Sequence, residues 1–582
     1  MISNLHNRWS LMSNFERLII ALAFIFCSWL ALYLPHLRIS PRWYGDEFLT
    51  LISGNGILQH TFTDRALRNN FFRTLLNYQP IGTFLFAFFA QTLTDGDILG
   101  ARLLSICFAL LIAFVVCITF ARRGKLLVGF SAALTILAAP QCVIHFRWVY
   151  PHYFVSLGVI MIGLTLDTPP TKRRDWIIGM GAGIAAMGHL LAIHVTLGAL
   201  LARIFHTDRD EEAAKADEVR QTSILTPGCM STYRPSHNVS LTQDPSDFPV
   251  SAGDRCEIFG LARIRLLASW LRIILLPALI LSSSLLLGYL SCGKGLFLDL
   301  QGLFFFYTIN SNCMHFSEKL MTFWTFFFMD WFHVLLLFSF LGIACARKWA
   351  LLIFSAFIVV TVIQNRPELS IFYYQAMIFI PLLCVNLILS LDFFLSRLQP
   401  MMDALFCSHS HCHDQHKISI LVLLLVPCML LPGSLNNSFS GTLKTLNDYW
   451  VTPNCRDLEE AASWINQHTN NNDFVVAYWD SEWLLKCRST DILQCATWRY
   501  GVGSISTYNR SFSREEFLWP ADITQAKYVF VSSIDLRWSY GEGNAPKLIK
   551  ETKLFSWPIV FRTKTTFVLS NPDFQEQVPI LK

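Results

Sequence analysis

Long apolar segments separated by short polar ones dominate this sequence from its start to about residue 435. A helix that crosses a bilayer needs about 20 mostly apolar residues. Such segments lie near residues 17–36, 99–120, 126–143, 152–168, 176–190, 191–205, 268–290, 320–344, 350–365, 372–392 and 418–435. The pattern therefore predicts a polytopic α-helical membrane protein with about eleven transmembrane helices.

One further apolar stretch, residues 81–93, is only about 13 residues long and too short to cross a bilayer. We expect it to form a juxtamembrane helix against the outer face. With the N-terminus inside, the basic clusters at 122–125, 172–174, 263–265 and 347–348 all fall on the inner side, as the positive-inside rule requires. This topology places the C-terminus and a long loop of residues 37–98 outside.

The chain changes character after the last apolar segment. Residues 458–468 have the periodicity of an amphipathic helix, 474–478 and 528–531 are predicted to be short buried strands, and 558–561 and 566–569 are predicted to pair as a hairpin. We therefore expect a transmembrane domain over 1–435 and a small extracytoplasmic α/β domain over 436–582. Residues 206–262 are polar and rich in Ser, Thr and Pro, which favours a flexible cytoplasmic insert.

The composition agrees with a membrane protein. Of 582 residues, 53% are hydrophobic and 15% are charged, whereas soluble domains have about 25% charged residues. No segment resembles a nucleic-acid-binding module, and no small-residue cleavage site follows the first apolar run, so we expect that span to be retained. Cys487 and Cys495 lie on the predicted outer side, where either a disulfide or two free thiols is compatible with the sequence.

An acidic pair, Asp46-Glu47, follows the first predicted span by about ten residues and is flanked by Trp43, Tyr44 and Phe48. Carboxylates at the mouth of an apolar bundle are costly to keep unless they are used. One of them could take a proton from an acceptor hydroxyl, and the pair is also a candidate site for a divalent cation. The alternative interpretation is an ordinary solvated loop.

Three elements in this order, Asp46-Glu47, Gln79-Pro80 and Arg102-Leu103, resemble motifs of the GT-C membrane glycosyltransferases. The closest resemblance is to the polyprenyl- or dolichyl-phosphate-sugar-dependent family of protein O-mannosyltransferases and aminoarabinose-to-lipid-A transferases. That family has an Asp-Glu pair after the first span, a His/Lys-Pro-Pro-like motif before an apolar outer helix, and an Arg-Leu pair at the start of the second span. This chain departs from it with Gln79 and a single proline. The resemblance covers residues 37–170 and extends loosely to 435.

The resemblance implies further site residues on two later outer loops. Arg147 offers the fixed cationic donors that suit a phosphate, although an interfacial belt of Arg, Trp and Tyr is the alternative. Arg366 and Tyr373 resemble an Arg-Tyr element before a late span. The implied substrate-binding residues are Gln79, Arg102, Arg147, Tyr150, His152, Arg366 and Tyr373.

Other polar residues carry weaker signals. His315, Asp330 and His333 lie in or near a long outer loop, and nothing in the sequence ranks them. His189 and His194 lie in apolar segments, where we favour hydrogen bonds to a neighbouring helix over a functional role. Zinc-ligand residue types cluster in a predicted inner loop whose spacing favours solvation over metal binding, namely Cys407, His409, His411, Cys412, His413 and His416.

Together the resemblance implies an inverting hexosyl or pentosyl transfer from a polyprenyl-phosphate donor to a hydroxyl of a lipid, glycan or protein acceptor, on the outer face of a bacterial inner membrane. Asp46 would be the base, Glu47 would orient the acceptor or a metal ion, and Arg147 and Arg366 would stabilise the leaving phosphate. Protein glycosylation and lipopolysaccharide modification are the processes it suggests. The alternatives are a transporter or flippase of lipid-linked sugars, which would favour repeated halves and charges near the midplane, and a non-catalytic scaffold.

Overall fold

The computed structural model describes residues 12–39, 43, 47–48, 50–52, 80–168, 171–205, 252–292, 317–318, 321, 331–364, 373–406, 415–440, 454–503 and 511–574. Several predictions lie outside these residues, namely those for Asp46, Gln79, His315, Asp330, Arg366, most of the insert and the cysteines and histidines of 407–413. The side chains of His333, Tyr373 and His416 also lie outside the described part.

The region before residue 441 is helical wherever the structure describes it. Its helices are α1 (Asn14–Tyr33), α2 (Pro80–Thr94), α3 (Ile98–Arg122), α4 (Leu126–Ala138), α5 (Pro140–His145), α6 (His152–Leu166), α7 (Lys172–Gly188), α8 (Ala192–Ile204), α9 (Ala252–Cys292), α10 (Trp331–Cys345), α11 (Trp349–Gln364), α12 (Ile380–Phe406) and α13 (Gln415–Ser440). Each apolar segment found in the sequence contains one of these helices, including the short outer helix α2.

Four stretches in the described part are long and apolar enough to cross a membrane: Asn14–Tyr33, Ile98–Arg122, Leu266–Leu287 and Ile380–Leu398. Other apolar helices are shorter, so the number of crossings stays a prediction. One boundary was wrong. Helix α9 begins at Ala252, inside the insert predicted to be flexible over 206–262, because the apolar residues after 257 continue directly into the following span.

Charged side chains meet at one end of the bundle. Asp167, just after α6, accepts from Arg123 at 2.8 Å and also pairs with Lys348. Asp175 on α7 pairs with Arg203 and Arg272 at 3.2 and 3.1 Å. Arg123 and Lys348, which the positive-inside rule assigned to one side, thus meet at one end of the bundle, and Asp167 compensates part of their charge. Which end faces the cytoplasm stays a prediction.

Residues 454–574 add a mixed sheet with helices, apart from the segment 504–510. The helices are α14 (Cys455–His468), α15 (Trp479–Glu482), α16 (Ile492–Tyr500), α17 (Ser533–Arg537) and α18 (Ala545–Thr552), and the strands are β1 (Phe474–Val476), β2 (Arg488–Thr490), β3 (Tyr528–Val531), β4 (Ile559–Arg562) and β5 (Phe567–Ser570). The strand order is β2-β1-β3-β5-β4. Strands β2, β1 and β3 are parallel, and β5 pairs antiparallel with both β3 and β4.

These elements confirm the predicted helix, the two predicted buried strands and the predicted hairpin. Strand β2 was not predicted, because its three residues begin with an exposed arginine and carry no apolar run. Cys487 and Cys495 are both buried and both free. Of the two alternatives that the sequence left open, the structure therefore has two free thiols and not a disulfide.

Buried carboxylates gather where the three parallel strands end. Asp480 follows β1, Asp491 follows β2 and Asp535 follows β3, and each is at least 97% buried. Asp535 accepts from the Ser532 amide at 2.9 Å and from the Ser539 hydroxyl at 2.8 Å. Burial raises the pKa of Asp480, and the charge of Asp535 raises it further; burial also raises the pKa of Asp535.

The raised pKa values of this pair predict how the stability of the sheet region depends on pH. Above about pH 4, where an aspartyl carboxyl in an unfolded chain ionises, the folded state binds more protons than the unfolded state. Stability is therefore fully present below that pH and falls as the pH rises through the raised pKa values. We expect Asp480→Asn, which keeps the volume and removes the charge, to flatten this dependence and to stabilise the region at pH 7.

The measurement is the urea midpoint of the tryptophan-fluorescence transition of the full-length protein between pH 4 and pH 8. Glu515→Gln, at an exposed position of the same region, is the matched control and should leave the slope unchanged. If the urea midpoint of Asp480→Asn changed with pH as steeply as that of the wild type, the interaction between the buried carboxyls of Asp480 and Asp535 would be contradicted.

Candidate active site

A fully buried ion pair joins the predicted acidic loop to helix α3. The Arg102 Nε and Nη2 atoms donate to the two carboxylate oxygens of Glu47 at 3.0 and 2.8 Å, and both side chains have no exposed surface. Arg102 Nη1 also donates to the carbonyls of Leu37 and Arg38 at 2.8 and 3.3 Å. The backbone amide of Val149 donates to Glu47 Oε1 at 2.9 Å. This two-pronged geometry is the strongest kind of charge-assisted contact in proteins.

Helix α3 is positioned to supply that arginine. Its N-cap is Asp97, whose carboxylate accepts from the Leu99 amide at 2.8 Å. Gly100 allows α2 to pack closely, because a Cβ there would lie 2.6 Å from the Phe89 carbonyl oxygen. Arg102 therefore enters the protein one turn after the cap, with α2 on one side and residues 37–38 on the other.

Arg147 is a second buried guanidinium at this end of the bundle. Its Nη1 donates to the Ser438 carbonyl at 3.1 Å and its Nη2 donates to the Pro35 carbonyl. Its Nε has no acceptor, and within the described part of the chain no carboxylate pairs with it. Burial, with a smaller contribution from the charge of Arg102, lowers the pKa of Arg147 to about 9, which still leaves the guanidinium charged at neutral pH. The site thus has two buried cations close to one described carboxylate.

The loop that carries Arg147 also brings two more predicted residues inward. Tyr150 and His152 are both buried, and the His152 ring lies 4.3 Å from the ring of His189. The start of α2 packs on the same loop, since a Cβ at Gly82 would lie 3.1 Å from Pro151 Cβ. The first outer helix, the second outer loop and the break between α7 and α8 therefore converge.

Sequence reasoning missed His189 as part of this site. Its Nδ1 accepts from the Leu191 amide at 3.0 Å and so stabilises the break between α7 and α8. The sequence analysis favoured a hydrogen bond to a neighbouring helix, whereas this bond is local, and the ring contact with His152 was not foreseen. The available signal was the boundary between the two short apolar segments 176–190 and 191–205.

The sheet region packs directly on the loop of the acidic pair. The Trp483 ring, just after α15, stacks on Phe48 at 5.0 Å and meets Trp43 edge-on at 5.5 Å. Arg38 pairs with Asp97 at 2.8 Å and with Glu459 on α14. Glu47 and Phe48 are therefore held by two partners, Glu47 by Arg102 of α3 and Phe48 by Trp483 of the sheet region.

Of the residues predicted from sequence, the structure brings Glu47, Arg102, Arg147, Tyr150 and His152 to one end of the bundle. Tyr373 opens a short 3₁₀ turn over Tyr373–Ile378, and this turn packs on α6 where the Ser156 hydroxyl donates to the Met377 carbonyl at 2.8 Å. In the described residues, no group of three or more His, Cys, Asp or Glu side chains is arranged for a metal ion. The roles of the predicted residues stay predictions.

Two solved structures of one membrane protein have a fold similar to that of this chain. ArnT from Cupriavidus metallidurans bound to undecaprenyl phosphate superposes with a TM-score of 0.53 at 14% identity, covering 97% of this chain and 99% of that chain. The same protein in its apo state gives 0.51 at 13% identity, covering 96% and 98%. The resemblance expected from the sequence is thus confirmed at the level of the fold.

No family model and no curated protein matches this chain. The archaeal oligosaccharyltransferase AglB from Archaeoglobus fulgidus, in complex with an inhibitory peptide and a dolichol-phosphate, gives a TM-score of 0.46 at 11% identity, covering 90% of this chain and 70% of that chain. A TM-score below 0.5 does not by itself establish a common fold.

The burial of the Glu47–Arg102 pair predicts that replacing Arg102 costs far more free energy of unfolding than replacing Arg38. Arg102→Gln leaves the Glu47 carboxylate buried without its partner, which should cost about 3–5 kcal/mol in free energy of unfolding. Arg38→Gln removes contacts that are part-exposed, and should cost no more than about 1 kcal/mol. Unfolding in mixed detergent micelles measures both.

A double-mutant cycle completes this test. In the Arg102→Gln background, Glu47→Gln should cause little further loss in free energy of unfolding, because it removes the buried charge that Arg102→Gln left without a partner. Strictly additive losses for the two substitutions would contradict the ion pair.

Proposed function

We propose that this protein is a membrane glycosyltransferase that moves a sugar from a polyprenyl-phosphate donor to an acceptor hydroxyl at the membrane face that carries residues 37–98. The observation that carries the proposal is the presence of two buried cations, Arg102 and Arg147, beside one described carboxylate, Glu47. The Glu47–Arg102 pair holds the acidic loop close to Arg147, a buried guanidinium with no carboxylate partner among the described residues. The ArnT structure that shares this fold holds undecaprenyl phosphate, and a lipid phosphate would supply the missing negative charge.

The transfer proceeds as one displacement. The acceptor oxygen forms a bond to the anomeric carbon while the bond from that carbon to the phosphate oxygen breaks. The electron pair leaves with the lipid phosphate, and the acceptor proton goes to Asp46 as general base. Attack from the face opposite the leaving phosphate inverts the anomeric configuration.

Arg147 and Arg366 stabilise the phosphate as its negative charge develops. A guanidinium suits this task because its planar donors match phosphate oxygens. Gln79, Tyr150, His152 and Tyr373 remain the proposed contacts to the sugar or the acceptor. The position of His189 against His152 adds it to this group.

The contacts of Glu47 favour a positioning role. Both of its oxygens accept hydrogen bonds from Arg102, and one also accepts from the Val149 amide. It therefore fixes the backbone next to Asp46, rather than orienting the acceptor or a metal ion by direct contact. Arg102 acts through the same ion pair with Glu47. This geometry favours that role over the direct contact with substrate that the resemblance implied.

The remaining finer assignments belong to the same proposal. The acceptor is a lipid, glycan or protein of the cell envelope, the membrane is the bacterial inner membrane, and the C-terminal region lies outside.

A transporter of lipid-linked sugars is the second candidate, but in the described helices the charged side chains gather at the two ends of the bundle. A transporter or a scaffold would bind the donor without consuming it.

Asp46→Asn tests the central chemical role. We expect loss of transfer by a factor of about 10²–10⁴, because the base is removed, with unchanged donor binding. The assay follows label from polyprenyl-phosphate sugars into cell-envelope extract. Asp95→Asn, in the turn between α2 and α3 at the same end of the bundle, is the control and should keep wild-type turnover. Wild-type rates in Asp46→Asn would exclude this residue as the base.

Trp483→Ala tests whether the tail positions the acidic loop. Removing the indole takes away the stacking surface for Phe48, so kcat should fall while the donor KM changes little, since the phosphate contacts are untouched. Trp483→Phe should restore most of the rate, because a phenyl ring can still stack. Equal losses for both substitutions, or a change in donor KM alone, would contradict a positioning role.

A further inference from the structure

A groove of about 330 Å³ opens between α3, α6 and α7 at the end of the bundle opposite the candidate active site. Its lining includes Val115 and Arg122 of α3, Met161 and Thr165 of α6, and Arg174 and Ile177 of α7. None of these residues enters the proposed transfer reaction. The groove is therefore a second feature that needs its own explanation.

The polarity of the lining residues changes with their depth in the groove. On α3, Val115, Thr119 and Arg122 recur at helical spacing on one face, with the arginine at the end of the helix. On α6, Met161 is followed by Thr165 in the same way. Helix α7 runs the other way. All three helices therefore present apolar side chains toward the bundle centre and polar or basic ones toward its end.

The polar rim carries an excess of positive charge. Arg122, Arg123 and Arg174 line it, and Lys348 lies close by through its pair with Asp167. Asp167 is the carboxylate that holds Arg123, at 2.8 Å. Among the described residues, Asp167 is the carboxylate that pairs with cations at this rim, through Arg123 and Lys348. An anion is the complementary occupant.

The groove also faces the surroundings of the bundle. Trp176 and Met180 on α7 are 47% and 50% exposed, and Leu111 on α3 is 45% exposed. Such large apolar side chains on spanning helices contact lipid, and tryptophan favours the interface between headgroups and acyl chains. An occupant would therefore enter from the lipid and not from bulk water.

We propose that this groove is a binding site for an anionic phospholipid of the inner leaflet. Its phosphate lies at the rim among Arg122, Arg123 and Arg174, and an acyl chain follows Val115, Met161 and Ile177 toward the bundle centre. Basic pockets between spanning helices bind anionic headgroups in this way. The proposal does not depend on the transfer reaction, because the site lies at the other end of the bundle.

Native mass spectrometry of the full-length protein in detergent tests this proposal, with phosphatidylglycerol and phosphatidylcholine as separate probes. We expect preferential binding of phosphatidylglycerol. Arg122→Gln and Arg174→Gln should each weaken its binding by about fivefold. Arg173→Gln is the matched control, because Arg173 is exposed, adjacent to Arg174 and not part of the groove lining. Its binding of phosphatidylglycerol should stay at the wild-type level.

Three results would overturn the proposal. Equal binding of the two lipids would show that the headgroup charge is not recognised. An equal loss in Arg173→Gln would show a general attraction to a basic surface rather than a site. Competition by inorganic phosphate at the same concentration as the lipid would show a soluble-anion site without a role for the acyl chain. A thermal-unfolding midpoint measured for each variant separates lost binding from lost folding.

Discussion

The pair of Glu47 and Arg102 is the interaction on which the end of the bundle with the candidate active site depends. Two charges without solvent are costly to bury, and the cost is recovered here by a two-pronged contact and by further hydrogen bonds from Val149 and to Leu37. Because these partners come from three separate stretches of chain, satisfying one ion pair fixes the relative positions of the loop that follows α1, of α3, and of the loop between α5 and α6. The candidate active site is built on that framework.

The two ends of the bundle use charge differently. At the end with the candidate active site a buried cation, Arg147, has no described carboxylate partner, and the sheet region packs on Phe48 through Trp483. At the opposite end carboxylates such as Asp167 and Asp175 compensate part of a larger basic cluster. Both ends thus offer cations to the phosphate groups that we propose, one of a donor lipid and the other of a bilayer phospholipid.

Periodicity and segment length predicted the helices and most of the sheet region, because burial of apolar faces is a local property of sequence. The partners of buried polar groups are not local. Sequence motifs marked Glu47 and Arg102 as site residues, but nothing in the chain showed that they would bind each other. The stacking of Trp483 on Phe48 and the contact of His189 with His152 join residues far apart in sequence. Strand β2 was missed because its pairing with β1, and not its own composition, defines it.

The most direct measurement of the central claim is an experimental structure with a non-transferable polyprenyl-phosphate-sugar analogue bound. The account predicts the phosphate within about 3 Å of the Arg147 guanidinium, with the anomeric carbon facing Asp46 and the Glu47–Arg102 pair intact. A phosphate bound elsewhere, with Arg147 still bonded to the carbonyls of Pro35 and Ser438 alone, would contradict it.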